Sequence, residues 1–227
     1  MRDFIINIAP ALVWFLAVTE AATAIVCIRN SHKTLNILAS AVSVGLAIDA
    51  AIIAAGMLIG EGTFLKSISQ IRYVLHGTLV PLLIPIAFYT YGIQRKIAKQ
   101  ILWIITAGVI VCGIAMGILT VTEPVDFAGI LRYGQSASTP VFARTVNLIL
   151  SFGGVLPLIF VGVVHLAKHK SPYLMLSGLV MFVFSAIAPA TGNMDLNFLT
   201  TMIGEDLMVF FFGIELIRYK KTQSNSC

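Results

Sequence analysis

The sequence predicts an all-α integral membrane protein: a single bundle of seven transmembrane helices over residues 1–227, with the N-terminus outside or lumenal and the C-terminus cytoplasmic. Three observations carry that expectation. Seven apolar stretches fill almost the whole chain. Hydrophobic residues make up 58% of it and charged residues only 11%, against roughly 25% charged in soluble domains. The basic residues also gather in alternate connections, as they do when successive spans cross a membrane in opposite directions.

The first span runs from about Ile5 to Ile28, the second from Leu35 to Ile59, the third from Ile68 to Gly92 and the fourth from Ile97 to Thr120. The fifth covers Val141 to Leu166, the sixth Tyr173 to Ala190 and the seventh Phe198 to Ile217. Each approaches or exceeds the roughly 20 apolar residues that cross a hydrocarbon core at 1.5 Å per residue. Lipid offers no partner to backbone N–H and C=O groups, so these spans are expected to be helices. The short alternating segments of a transmembrane barrel are not visible.

Orientation follows from the cations. Arg29 and Lys33 follow span one, Arg95, Lys96 and Lys99 span three, Lys168 and Lys170 span five, and Arg218, Lys220 and Lys221 span seven. The alternate connections hold Glu61, Glu123, Asp126 and Asp195, with Lys66 and Arg132 as their cations. The positive-inside rule then puts the first set in the cytoplasm. The formal charge of +5 reflects topology and anionic inner-leaflet lipid; no basic run is dense enough for a nucleic-acid surface.

Ala22-Thr23-Ala24 resembles a signal-peptidase site, but Arg2 is offset by Asp3 and the basic cluster follows the apolar run, so no cleaved leader is expected. Cys27, Cys112 and Cys227 are isolated, without metal-like spacing, and no lipidation box ends the chain. The segment from Val121 to Pro140 reads as an ordinary surface loop, with a short amphipathic turn through Phe127, Ile130, Leu131 and Tyr133, or a cover over the outer mouth, as alternatives. Residues 77–83 of span three, GTLVPLL, echo residues 153–159 of span five, GGVLPLI. Two spans that run in the same direction make a parallel duplication conceivable.

Function is concentrated in the ionisable groups inside the spans, since a charge near the bilayer centre costs about 2.5 to 3.5 kcal/mol on insertion scales and marks a functional site by default. They are Glu20 in span one, Asp49 in span two, Arg72 and His76 in span three, Arg144 in span five, and Glu205 with Asp206 in span seven; Asn147 lies beside Arg144. Arg72 and His76 are four residues apart and share a helix face, with Tyr73 beside them. Arg144, Asn147 and Ser151 form a second polar stripe, and Thr201 precedes Glu205 by one turn. All except Glu20 fall in the outer half, so the expectation is an outward-facing pocket of Asp49, Arg72, His76, Arg144, Asn147, Glu205 and Asp206. The competing expectation is purely architectural: ion pairs that fix helix packing, or arginines that snorkel to headgroups.

Glu20 lies at mid-membrane, where a carboxyl can donate a hydrogen bond or a catalytic proton. Glu215 reads as an interfacial charge near Arg218, and residues 192–197 as a polar turn after a helix ended by Pro189. Span seven lacks the lysine of a retinal Schiff base, and only His76 among the histidines lies inside a span, which argues against membrane zinc hydrolases and paired haem ligands. No cofactor motif is present.

Two function classes remain. One is a binding or transport protein for a small polar or anionic molecule or protons, with Arg72 and Arg144 on the anion and Pro81, Pro85 and Pro157 loosening their spans. The other is an intramembrane enzyme on a lipid or isoprenoid, with Glu20 or Asp206 as general acid and Asp49 or Glu205 as its counterpart. In size and carboxylates alone the chain looks like the small seven-helix terpene cyclases; their helical motifs are missing. A sensor or complex subunit is a third possibility. The partners expected are the bilayer and a small-molecule or lipid ligand.

Overall fold

Lipid-facing helices keep every backbone bond within the segment, and helices dominate the fold. The computed structural model describes residues 2–29, 33–127, 129–191 and 197–224. In order these are α1 (Arg2–Ile28), α2 (Lys33–Ile59), α3 (Thr63–Leu79), a 3-10 turn (Val80–Leu82), α4 (Leu83–Tyr91) and α5 (Lys96–Leu119). A hairpin of β1 (Thr122–Phe127) and β2 (Ile130–Gln135) follows, then α6 (Val141–Gly153), α7 (Leu156–His169), α8 (Tyr173–Thr191) and α9 (Asn197–Ser224). The turn expected at 192–197 lies, up to residue 196, outside the described residues. The expected stop at Pro189 is not where α8 ends, which is Thr191.

This is a multi-pass membrane protein. Among the described residues, five stretches are long and apolar enough to cross a bilayer: Asn7–Ile28, Thr34–Ile59, Thr63–Tyr91, Lys96–Leu119 and Val141–His169. Tyr173–Ile187 is a shorter apolar helix, and α9 carries three carboxylates, Glu205, Asp206 and Glu215, along its length. The outer surface is apolar, as a hydrocarbon solvent demands: Ile104 is 72% exposed, Val111 66% and Phe160 66%.

Helix α2 is the centre of the bundle, in contact with α1, α3, α4, α9 and β2, while α8 packs on α7 and α9. Buried Leu38, Val42, Leu46, Leu83, Leu158, Met181 and Phe212 form one core cluster, and Val13, Leu16, Ile53, Ile130, Phe198 and Met202 another nearer the hairpin. Membrane helices gain little from apolar burial against each other and associate through close backbone approach instead. Helices α3 and α5 do so at Gly77 and Gly113, where a Cβ on either residue would overlap the other's carbonyl. The Gln70 amide strengthens the same seam by donating to the Gly117 and Thr120 carbonyls at the end of α5.

Spans three and five are each broken in mid-course. Pro81 and Pro157 have no N–H to continue the helix, and the structure responds with the turn at Val80–Leu82 and with the gap between Gly153 and Leu156. The two breaks touch: a Cβ on Gly154 would run into the Val80 side chain. They also coincide with the sequence echo at 77–83 and 153–159. Non-helical backbone at membrane depth is tolerated where protein buries it or a cavity adjoins it, and here both hold.

The segment read as a surface loop is an antiparallel hairpin with register Val125↔Arg132 and Phe127↔Ile130. It docks on the bundle through Ile130, fully buried, and through the Leu131 carbonyl, which lies against Gly56 of α2 where no larger residue fits. Burial of Ile130 and Tyr133 on the bundle side is the physical reason the segment is ordered as strands.

Candidate functional site

A cavity opens between α2, α3, α6, α8 and α9 because α6 packs chiefly on α5 and leaves a gap toward α8 and α9. Its volume is about 420 Å³. Asp49, Arg72, His76, Gln135, Arg144, Asn147 and Glu205 give it one polar end. Leu79, Val80, Leu83, Val155, Met181 and Met208 give it an apolar one, so the two helix breaks form part of its wall. A second cavity of about 200 Å³ shares Asp49, Arg72, His76, Asn147, Thr201 and Glu205 and extends to Tyr73, Arg132 and Phe198.

The best-defined contact in the site joins α2 to α3. Arg72 Nε donates to Asp49 Oδ1 at 2.6 Å and Nη2 to Oδ2 at 3.2 Å. This two-point fork is the geometry that suits guanidinium and carboxylate. It leaves both groups neutralised as a unit, with side-chain exposures of 12% for Arg72 and 20% for Asp49.

The neighbouring acids of α9 part company. Successive residues on a helix point about 100° apart; Glu205 is buried and lines both cavities, whereas Asp206 Oδ1 accepts from Thr19 Oγ1 of α1 at 2.6 Å. Asp206, expected in the pocket, is outside the lining of either cavity. Glu20 is also outside it, 1% exposed, with Oε2 lacking a hydrogen-bond partner among the described residues. Its electrostatic neighbours are Glu205, Asp206 and Asp49. Arg144 lines the larger cavity from an exposed position on α6, and the Ser151 hydroxyl donates to the Asn147 carbonyl at 2.9 Å.

Arg132 was expected to be a loop cation. Instead its guanidinium lies over two rings, 4.5 Å from the centre of Phe127 and 4.9 Å from that of Phe198, a cation–π arrangement. Its Nε is buried without a hydrogen-bond partner among the described residues. Burial, reinforced by the nearby Arg72 charge, pushes the group down to about 10, so at neutral pH it remains a cation. Only the tertiary fold reveals it, since the hairpin brings it to the same space as Arg72 and Glu205.

A second polar cluster lies at the other end of the bundle. His165 Nε2 is 3.0 Å from Glu215 Oε1, and the Ser171 hydroxyl donates to Glu215 Oε2. All three residues are buried. The expectation that Glu215 is an interfacial charge is therefore corrected: it ties α9 to α7 and to the start of α8. No family model matches the chain, and no characterised protein is detectably similar to it in sequence.

Proposed function

We propose that this is a single-domain protein of seven spans, N-terminus outside, whose outward-facing cavity binds a small polar or anionic molecule and passes it, or protons, across the bilayer. The observation that carries this reading is the meeting of two broken spans at the wall of a cavity rimmed with charge. Membrane carriers build their sites from interrupted helices near the bilayer midplane, where the breaks supply both polar groups and points of flexure. Pro81 and Pro157 place such breaks side by side at Val80 and Gly154. The repeated segment around each proline also supports a carrier, because two like segments give two like hinges.

The unpartnered carboxylate of Glu205 at the boundary between the polar and apolar ends supports a second reading, an intramembrane acid–base enzyme acting on a lipid or isoprenoid. The two separate in proteoliposomes. A panel of isotopically labelled short monocarboxylates and amino acids is applied to reconstituted protein while uptake and product are both recorded. Transport predicts an uptake that a Pro81→Ala, Pro157→Ala double variant slows while binding persists. Turnover of added isoprenoid without uptake would favour the enzyme. Neither flux nor a ligand-induced rise in melting temperature across the panel would sink the transport reading.

A further inference from the structure

The two cavities differ in character, and the charges around the smaller one do not all find partners. Arg72 and Asp49 satisfy each other. That leaves Arg132 and Glu205, one guanidinium and one carboxyl group, lining the 200 Å³ space without an ion pair among the described residues. Asn147, Thr201 and Tyr73 line the same space, and none of their side-chain polar atoms has a hydrogen bond to another described residue. The buried Arg132 Nε and the buried Glu205 carboxyl group are thus left without a hydrogen-bond or ion-pair partner among the described residues, and unsatisfied buried polar groups are costly, so a ligand that matches both gains most. Beyond Asn147 and Glu205 the space widens into the larger cavity, where Leu79, Leu83, Val155, Met181 and Met208 offer an apolar surround.

We propose that the site takes a zwitterionic amino acid with a large apolar side chain, its carboxylate on Arg132, its ammonium on Glu205 and its side chain in the larger cavity. The inference rests on the reading of these cavities as a binding site and deepens it. A simple anion would meet Arg132 but bring a second negative charge to Glu205, and like charges at one site oppose ionisation of both. A simple cation would have the converse difficulty at Arg132. An α-aminocarboxylate presents opposite charges on two groups attached to one carbon and adds no net charge to a desolvated space. The 420 Å³ of the larger cavity, at about 30 Å³ for a water-sized group, has room for an aliphatic or aromatic side chain.

The rest of the site fits that ligand. The Arg132 guanidinium rests against the adjoining rings of Phe127 and Phe198, whose centres are 5.6 Å apart, and this contact restricts the directions its N–H fork can take toward a carboxylate. Asn147 and Thr201 add hydrogen-bonding capacity to the ligand's head. Arg72, engaged by Asp49, is a neighbour of the site and supplies no free fork to it.

The test uses the full-length protein in detergent, with L-phenylalanine, L-leucine, 2-phenylethylamine and 3-phenylpropanoate as probes in calorimetry. Phenylalanine and leucine should bind, and loss of either charged group should weaken binding by at least about tenfold, the scale of a hydrogen bond to a charged partner. In Arg132→Gln, phenylalanine should lose its advantage over 2-phenylethylamine; in Glu205→Gln, it should lose its advantage over 3-phenylpropanoate. These are ratios within one variant, so a change in stability does not mimic them, and Arg132→Lys provides a milder second variant. Binding of 3-phenylpropanoate or 2-phenylethylamine as tight as that of phenylalanine overturns the proposed ligand class while leaving the cavity as a binding site. Failure of all four probes to bind overturns the inference too; the wider reading falls only if the monocarboxylate panel also fails.

Discussion

Gly77 of α3 and Gly113 of α5 meet backbone to backbone, each occupying the space where the other's side chain would be. Lipid as solvent makes such contact the main source of helix association, through dispersion between closely fitted surfaces. Gly77→Ala and Gly113→Ala should each lower stability by about 1 to 3 kcal/mol, the usual cost of overpacking. Gly108→Ala, on the same helix α5 with open space around it, is the control and should be neutral or stabilising by up to about 1 kcal/mol. A melting series in one detergent checks all three; equal behaviour of Gly113 and Gly108 variants would contradict the contact.

The Arg72–Asp49 fork predicts an asymmetry between single and double variants. Asp49→Leu or Arg72→Met alone strands the partner's charge and should cost about 3 to 5 kcal/mol. The double variant removes both charges and should recover most of that loss. Simple addition of the two single losses would mean that the pair does not form.

Glu205 and Asp206 should separate when replaced. Asp206→Ala and Thr19→Val break the same hydrogen bond between α1 and α9, so each should reduce stability by about 1 kcal/mol and the pair should be non-additive. Glu205→Gln should leave melting close to that of the parent and alter ligand response instead. The measurement is a thermal melt with and without ligand; a Glu205→Gln protein that loses stability yet keeps its ligand response would reverse these assignments.

Orientation is testable with impermeant thiol reagents on single-cysteine variants. Glu123→Cys in the hairpin should label from outside intact cells, while Lys168→Cys at the end of α7 should label only after permeabilisation. Both positions are exposed, so access rather than burial determines the outcome. External labelling of Lys168→Cys would invert the topology argued from the cations.

Most of the spans were legible because hydropathy over twenty residues is a strong, local signal, and both helix breaks followed from Pro81 and Pro157. The Gly113–Gly117 spacing of α5 was a further signal present in the sequence, since small residues four apart mark a helix contact face in membranes. The hairpin escaped notice because Pro124, Gly129 and Gly134 resemble loop composition, and its order comes from docking on α2 rather than from its own propensity. Arg132 shows nothing distinctive among its neighbours; its significance depends on Phe198, which arrives from α9. The pairing of His165 with Glu215 spans 50 residues of sequence, beyond the reach of any periodicity.

The docking of the hairpin on Gly56 carries a practical consequence for anyone who wishes to attach a reporter to this protein. Long connections are the usual choice for inserting an epitope or a fluorescent domain, and by length the stretch between α5 and α6 is the obvious one. An insertion within β2 would pull the Leu131 carbonyl off α2 and carry Arg132 away from its two rings, silencing the site while the polypeptide still reached the membrane. The short bend at Gly60 and Gly62, around which an added side chain would meet nothing within 4 Å, is the better place: a tag there leaves the hairpin seated and reports on the same face of the bilayer.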